Sequence, residues 1–444
     1  MVLAVTANAL AGAARAVKDR GASPAARDVA ARGFGRKGMW PQGMWPQGMW
    51  RRRHTHPASA TRGPLSCGLV MALAEVVCIG ETMAMVAPVH PEPLELAREV
   101  AIHTGGAESN VAMYLAGLGH QVTWVSRLGD DPLGHRVLAD VAAAGVGTSL
   151  VELDKAAPTG VYFKDPRPEG TRVFYYRRGS AASLMTADIL RLVLASPPRV
   201  LHVSGITPAL SPTCNEMMSE LFGHLEGTTT LVSFDVNFRP ALWGPKEAAP
   251  RLRALAQRAG VVFVGLDEAQ TLWGTHAPRE VRDLLPGPPV LVVKDGATGA
   301  TAFDGAGEVF VPGPPVAVSE LVSAGDAFAA GWLSGLLRGL PQAQRLRLGH
   351  VLAGVALAST ADHQAPPPPD LLAVALSVDE VGWAAGPEAW ARAGKTEARA
   401  RGGGRAGRRS PGGSGGRAGR ETLAASGGTV GDSAGGLDRG RRSL

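Results

Sequence analysis

Between residues 75 and 294 the chain alternates short apolar runs with longer segments of helical spacing. Glu75–Gly80 (EVVCIG), Val122–Ser126, Val200–Ser204, Thr230–Asp235, Gly260–Val264 and Val290–Lys294 are rich in β-branched residues and lack a polar face. Runs of that kind are strands buried on both sides. Ser109–Gly117 and Arg136–Ala144 carry apolar residues at helical spacing instead. Strand–helix alternation of this type predicts an α/β fold, with a central, mostly parallel sheet flanked by helices on both faces. Gly160–Lys164 and Thr171–Arg178 are different: two extended runs around Pro166–Gly170 that predict an antiparallel hairpin. A hairpin projecting from such a body, over about 160–178, is a candidate lid.

The ends do not share the pattern. Residues 1–72 contain the repeat Gly38-Met39-Trp40-Pro41-Gln42, a second copy and a truncated third, then three arginines. Hydrophobics that sparse do not offset chain entropy, so disorder is expected there. Met71, just before the first strand, offers an alternative start that would make the upstream region spurious. The Gly/Arg-rich stretch 386–444 is likewise expected to be a disordered tail, leaving 73–385 as the folded domain.

Charge follows the same division. The chain as a whole carries +6, but residues 71–386 hold 22 basic and 32 acidic residues, a net charge of −10. An acidic body speaks against nucleic-acid binding, where a basic surface supplies most of the affinity. Cys67, Cys78 and Cys214 have neither metal-ligand spacing nor a disulfide framework, which fits a reducing compartment. Leu65-Ser66-Cys67-Gly68 looks like a lipoprotein box, but the polar residues before it provide no apolar segment. A cytoplasmic protein with no membrane partner is expected, and a homo-oligomer is compatible with the sequence.

The sharpest chemical signal is Ser323-Ala324-Gly325-Asp326-Ala327-Phe328, followed by the small-residue helix Ala329–Leu337. Small residues at a helix start let a ligand approach the first-turn N–H groups, which together with the helix dipole form an anion site. An aspartate there is expected to have a lowered pKa and to accept a hydroxyl proton; the plainer reading is a helix cap. A second signal is Gly105-Gly106-Ala107-Glu108-Ser109-Asn110, with Gly129-Asp130-Asp131-Pro132-Leu133-Gly134 beyond it. A glycine pair before a helix suits close contact with a hydroxylated ligand. No Walker A loop and no G-x-G-x-x-G after the first strand is present, which argues against P-loop and dinucleotide chemistry. Tyr175 and Arg177 lie two apart on a strand, so both point to one face while Tyr176 points away.

In this order and at this separation, the glycine pair with Asn110 and the Ala324-Gly325-Asp326 element resemble the two signatures of the ribokinase-like (PfkB-type) carbohydrate kinases, over about Ala72–Ala385. Thr159–Phe163, Arg172–Gly179 (RVFYYRRG), Ser204–Pro208 and Asp235–Trp243 (DVNFRPALW) are most similar to the 2-keto-3-deoxygluconate kinases of that family. The resemblance implies a large α/β domain with a small β-sheet lid, and ATP with Mg²⁺ as phosphoryl donor to a small sugar or sugar acid. It implies Asp326 as catalytic base and Ser323, Ala324 and Gly325 as anion hole. Gly106, Asn110, Tyr162, Tyr175, Arg177, Arg239 and Asp362 would meet the substrate. Asn237, Lys294, Gly296 and Gly299 would meet ATP, and Glu268 would reach the metal through water. Two converging arginines suit a carboxylate, which the guanidinium fork binds bidentately.

The pattern is not followed everywhere. Glu320, Leu321 and Ser323 stand where the family usually has Asp, Thr and Gly, and Gly265 and His350 replace asparagines. These departures bear on rate and nucleotide affinity. Two alternatives stay open at this level: a kinase of a neutral sugar such as fructose or ribose, and a catalytically silent sugar-binding regulatory protein.

Overall fold

The computed structural model describes residues 74–390 except 169, together with residue 392. The disorder expected at 1–72 and through most of 386–444 lies outside them, as does the alternative start at Met71. Within them, packing continues to Trp390, which stacks on Trp383 with ring centroids 4.8 Å apart, beyond the boundary expected at 385.

The strands are β1 (Val76–Ile79), β2 (Met83–Pro88), β3 (Val100–Gly105), β4 (Val122–Gly129), β5 (Gly147–Asp154), β6 (Val161–Asp165), β7 (Arg172–Tyr176), β8 (Val200–Ser204), β9 (Leu231–Asp235), β10 (Val261–Gly265), β11 (Val290–Asp295), β12 (Gly299–Asp304) and β13 (Gly307–Pro312). Nine form one sheet in the order β13-β12-β11-β10-β9-β8-β1-β4-β5. The seven from β11 to β5 are parallel, and β12 and β13 close one edge antiparallel. The apolar runs read from the sequence are the centre of this sheet. Their alternation serves two cores: Val76 and Cys78 pack on one face, Val77 and Ile79 on the other.

On the first face lie α1 (Ala107–Gly117), which starts after the glycine pair, and, later in the chain, the apolar helix that begins at Ala324. Helix α2 (Pro132–Ala143) follows β4. The second face is covered by α3 (Pro212–Leu225), α4 (Pro245–Ala256) and α5 (Leu266–Trp273). The first face is completed by α6 (Ala324–Leu337) and α7 (Gln342–Leu357). These two helices pack closely because Gly331 has no side chain: a Cβ there would lie 2.4 Å from the carbonyl oxygen of Leu348.

The smaller sheet has the order β3-β2-β6-β7. The expected hairpin is its β6–β7 pair, antiparallel with Tyr162 opposite Tyr175. Strands β2 and β3 were not anticipated. Their segments, MAMVAP and VAIHTG, mix small, polar and helix-compatible residues and have no tight-turn signal between them. Met83, Met85, Ala87 and Tyr162 form the small core beneath this lid.

The sheet order reverses around β1, with β4 on one side and β8 on the other. Open parallel sheets bind ligands at the carboxyl ends of their strands at such a reversal. The residues at and just beyond the carboxyl ends of β1, β9, β10 and β11 line that edge of the sheet.

Candidate active site

Asp326 is the third residue of α6 and is 7% exposed. It is not the helix cap; Ser323 holds that position and makes no side-chain cap bond. The Asp326 carboxylate instead accepts from two asparagines, Asn110 Nδ2 at 2.9 Å on Oδ2 and Asn237 Nδ2 at 3.4 Å on Oδ1. Burial raises its pKa to about 7, although the Asn110 hydrogen bond and the charge of Arg239 work the other way. The expected lowering by the helix N-terminus is thus reversed: removing the carboxylate from water outweighs the favourable groups around it.

The turn before α6 puts a serine in a backbone conformation that favours glycine. Ser323 adopts a left-handed φ of 68°, a conformation costing a non-glycine residue roughly 1–2 kcal/mol. Its Oγ is buried without a partner, as are Asn110 Oδ1, Asn237 Oδ1 and Thr82 Oγ1. Buried polar atoms are nearly always satisfied, so orphans at Asn110, Asn237 and Ser323, beside one carboxylate and one uncapped helix start, mark a place for a polar ligand. Lys294 comes up under the same loop: a Cβ on Gly325 would sit 3.3 Å from its Nζ. Far from being an exposed strand end, Lys294 bonds Asp235 Oδ2 at 2.9 Å. Burial opposes its charge, but Asp235 and Glu268 more than offset this and push its pKa up.

Around this centre the other expected residues fall into distinct positions. Arg239 has a side chain 41% exposed, donates to the Phe238 carbonyl and approaches Glu268 only to 3.9 Å. Glu268 accepts from the Gly265 N–H at the start of α5, and burial raises its pKa against the pull of Lys294. Gly296 and Gly299, with φ of 50° and 143°, form the β11–β12 turn. A Cβ on Gly299 would meet the Val311 carbonyl at 2.4 Å. His350, on α7, faces the Val311 carbonyl at 3.1 Å, and burial lowers its pKa to about 4.

On the lid, Tyr175 and Arg177 do share a side, the guanidinium lying 5.6 Å from the Tyr175 ring centroid, while Tyr176 is exposed against Phe163. Arg177 is not a free cation, however. Its Nε donates to Glu81 Oε2 at 2.6 Å and a terminal nitrogen bonds the same oxygen, while Ser180 Oγ holds Oε1 at 2.5 Å. Asp362 is similarly engaged, by Tyr162 OH and by Lys164 Nζ at 2.7 Å. The glycine pair admits these contacts. A Cβ on Gly105 would lie 2.1 Å from Tyr162 OH, and one on Gly106 would lie 2.5 Å from the Glu81 carbonyl. At Gly106 the direction a side chain would take is filled by the Glu81–Thr82 segment. Asp131 is likewise structural, capping α2 and holding the Thr159 N–H ahead of β6.

Glu81, Lys164 and Asp235 were missed. Asp235 had a readable signal, an acid ending a buried strand at its carboxyl end. So did Lys164, two residues after Tyr162 on an alternating strand.

Residues 73–367 match the family model for pfkB family carbohydrate kinases. The chain belongs to this family. Among its curated relatives, 2-dehydro-3-deoxygluconokinase of Thermoproteus tenax is 33% identical over 67% of this chain and 93% of its own. The enzyme of the same name from Bacillus subtilis (strain 168) is 34% identical over 68% and 95%. Among solved structures, a PfkB protein from Polaromonas sp. JS666 matches 65% of this chain and 98% of its own, at 36% identity and a TM-score of 0.60. The chain is thus a carbohydrate kinase with the fold its strand pattern implied. Among the described residues no helix is long and apolar enough to cross a membrane.

Proposed function

We propose that this carbohydrate kinase transfers the γ-phosphoryl group of ATP to the primary hydroxyl of a sugar acid, with 2-keto-3-deoxygluconate as substrate and its 6-phosphate as product. The observation carrying the reaction type is the buried Asp326 carboxylate at an uncapped helix start, with Lys294 beside the same turn. Transfer of this kind is governed by positioning and charge stabilisation. Asp326, ionised, accepts the hydroxyl proton as the oxygen attacks in line. The N–H groups of Ala324 and Gly325, aided by Lys294, hold the charge that develops on the transferring group, about 3–4 kcal/mol for a well-aimed donor. A silent sugar binder would have no use for this arrangement.

Among the described residues no three His, Cys, Asp or Glu side chains converge as a metal cage. Magnesium commonly rides on nucleotide phosphates and takes only one or two protein carboxylates. Glu268 would hold it through water, and the ion would neutralise phosphate charge.

The sugar-acid reading rests on Arg239, whose half-exposed fork has only a loose ionic contact while Arg177 is already neutralised by Glu81. The names of the relatives from T. tenax and B. subtilis support the same substrate. In an ADP-release assay, Arg239→Ala is expected to lower kcat/KM for the keto-deoxy acid by about 100-fold, as loss of a charge-assisted bidentate bond implies. A neutral sugar turned over weakly should be affected far less. Equal losses on both would favour a neutral-sugar kinase.

A further inference from the structure

Lys164 is a lid residue whose side chain belongs to the body. In the strand VYFKD it shares a face with Tyr162, and it is 2% exposed. Its ammonium donates to Asp362 Oδ1 at 2.7 Å and to the Thr360 carbonyl at 3.0 Å, and lies 3.8 Å from Glu320 Oε2. None of these acceptors is part of the small sheet. The other oxygen of Glu320 accepts from the N–H groups of Leu321 at 2.9 Å and Val322 at 3.4 Å. Those two residues lead directly into Ser323, whose left-handed conformation sets the start of α6.

A continuous path therefore runs from the lid strand through one buried ammonium and one carboxylate to the backbone of the anion loop. Without the ammonium, Glu320 and Asp362 would face a buried site with no cation between them, and two like charges there repel. Glu320 would then be drawn towards water and away from the Leu321 and Val322 N–H groups. With the ammonium in place, Glu320 is fixed and the loop is braced.

We infer that Lys164 is a positioning residue that makes docking of the lid and shaping of the anion loop a single event, acting through Glu320. Its ammonium is fully engaged by Asp362, Thr360 and Glu320. The inference deepens the kinase reading and rests on it for its catalytic consequence, but the structural link is measurable without turnover.

The test uses the full chain as wild type, Lys164→Met, Glu320→Gln and the double variant. Glutamine keeps an acceptor for the two N–H groups and loses the charge facing Lys164. Each single variant is expected to lower kcat by 10- to 100-fold with the sugar KM within threefold of wild type. The double variant should be no worse than the poorer single one, because both changes cut one path. In the same samples, amide hydrogen exchange at Leu321 and Val322 should accelerate in Lys164→Met. Multiplicative losses, a change confined to KM, or unaltered exchange in Lys164→Met would overturn the inference. If Lys164→Met does not fold, wild-type kcat in Glu320→Gln overturns it alone. A wild-type chain inactive on every sugar, with exchange still accelerated in Lys164→Met, would reject the kinase reading and leave the link standing.

Discussion

At the scale of single residues, the site is arranged around an acid that burial makes basic. With a pKa of about 7, Asp326 is partly protonated near neutrality and must lose its proton to act as the base. kcat/KM is therefore expected to rise with pH through about 7 and level above it. Asn110 favours the ionised form, so Asn110→Ala should move this limb to higher pH; a limb that stays in place, or lies below pH 5, would contradict the assignment. The same shift bears on stability. An unfolded Asp326 releases its proton near 3.8 and the folded one near 7, so between these values the native state holds the extra proton and stability falls as pH rises. Asp326→Asn removes that penalty, on the order of a few kcal/mol. The variant should lose turnover by orders of magnitude, keep sugar affinity, and melt several degrees above wild type at pH 8, with the gap closing towards pH 4. Equal melting temperatures at pH 8 would mean the carboxylate is not desolvated.

At the scale of elements, close approach explains much of what first looked like ligand contact. Gly105 ends β3 against Tyr162 OH and Asp362. Gly105→Ala is expected to push β6 outward and cost about 1–3 kcal/mol, measured by denaturant unfolding; an unchanged midpoint would mean that the lid gives way freely. The central strands were legible because β-branched runs such as VVCI and VVFVG have few other ways to be buried. The β6–β7 hairpin was legible from alternation. Strands β2 and β3 were not, since nothing in MAMVAP announces a strand that pairs parallel with a segment more than seventy residues later. Asp326 and Asn110 stood out in short motifs. Glu81 and Lys164 did not, because what makes them matter is a partner 96 residues away for the first and 198 for the second. Local patterning carries no record of such pairs. It also gave Asp326 the wrong pKa direction, since a helix start is visible in sequence and deep burial is not.

At the scale of the molecule, one sheet and its reversal at β1 gather these groups. Asp235 ends β9 with Asn237 and Arg239 just beyond it, Glu268 follows β10, Lys294 is the penultimate residue of β11, and α1 and α6 bring Asn110 and Asp326 to meet them. Tyr162 and Tyr175 lie on β6 and β7 of the second sheet, and Arg177, just past β7, is held by Glu81. Groups so far apart in sequence come together only in the finished fold, where a buried carboxylate meets an uncapped helix start, the arrangement from which we propose a base and an anion-binding turn. The most direct measurement is ADP release by the full chain with Mg-ATP, comparing 2-keto-3-deoxygluconate with fructose, ribose and gluconate. Turnover confined to the keto-deoxy acid is the predicted result. Efficient turnover on fructose or ribose instead, with none on the keto-deoxy acid, would contradict it.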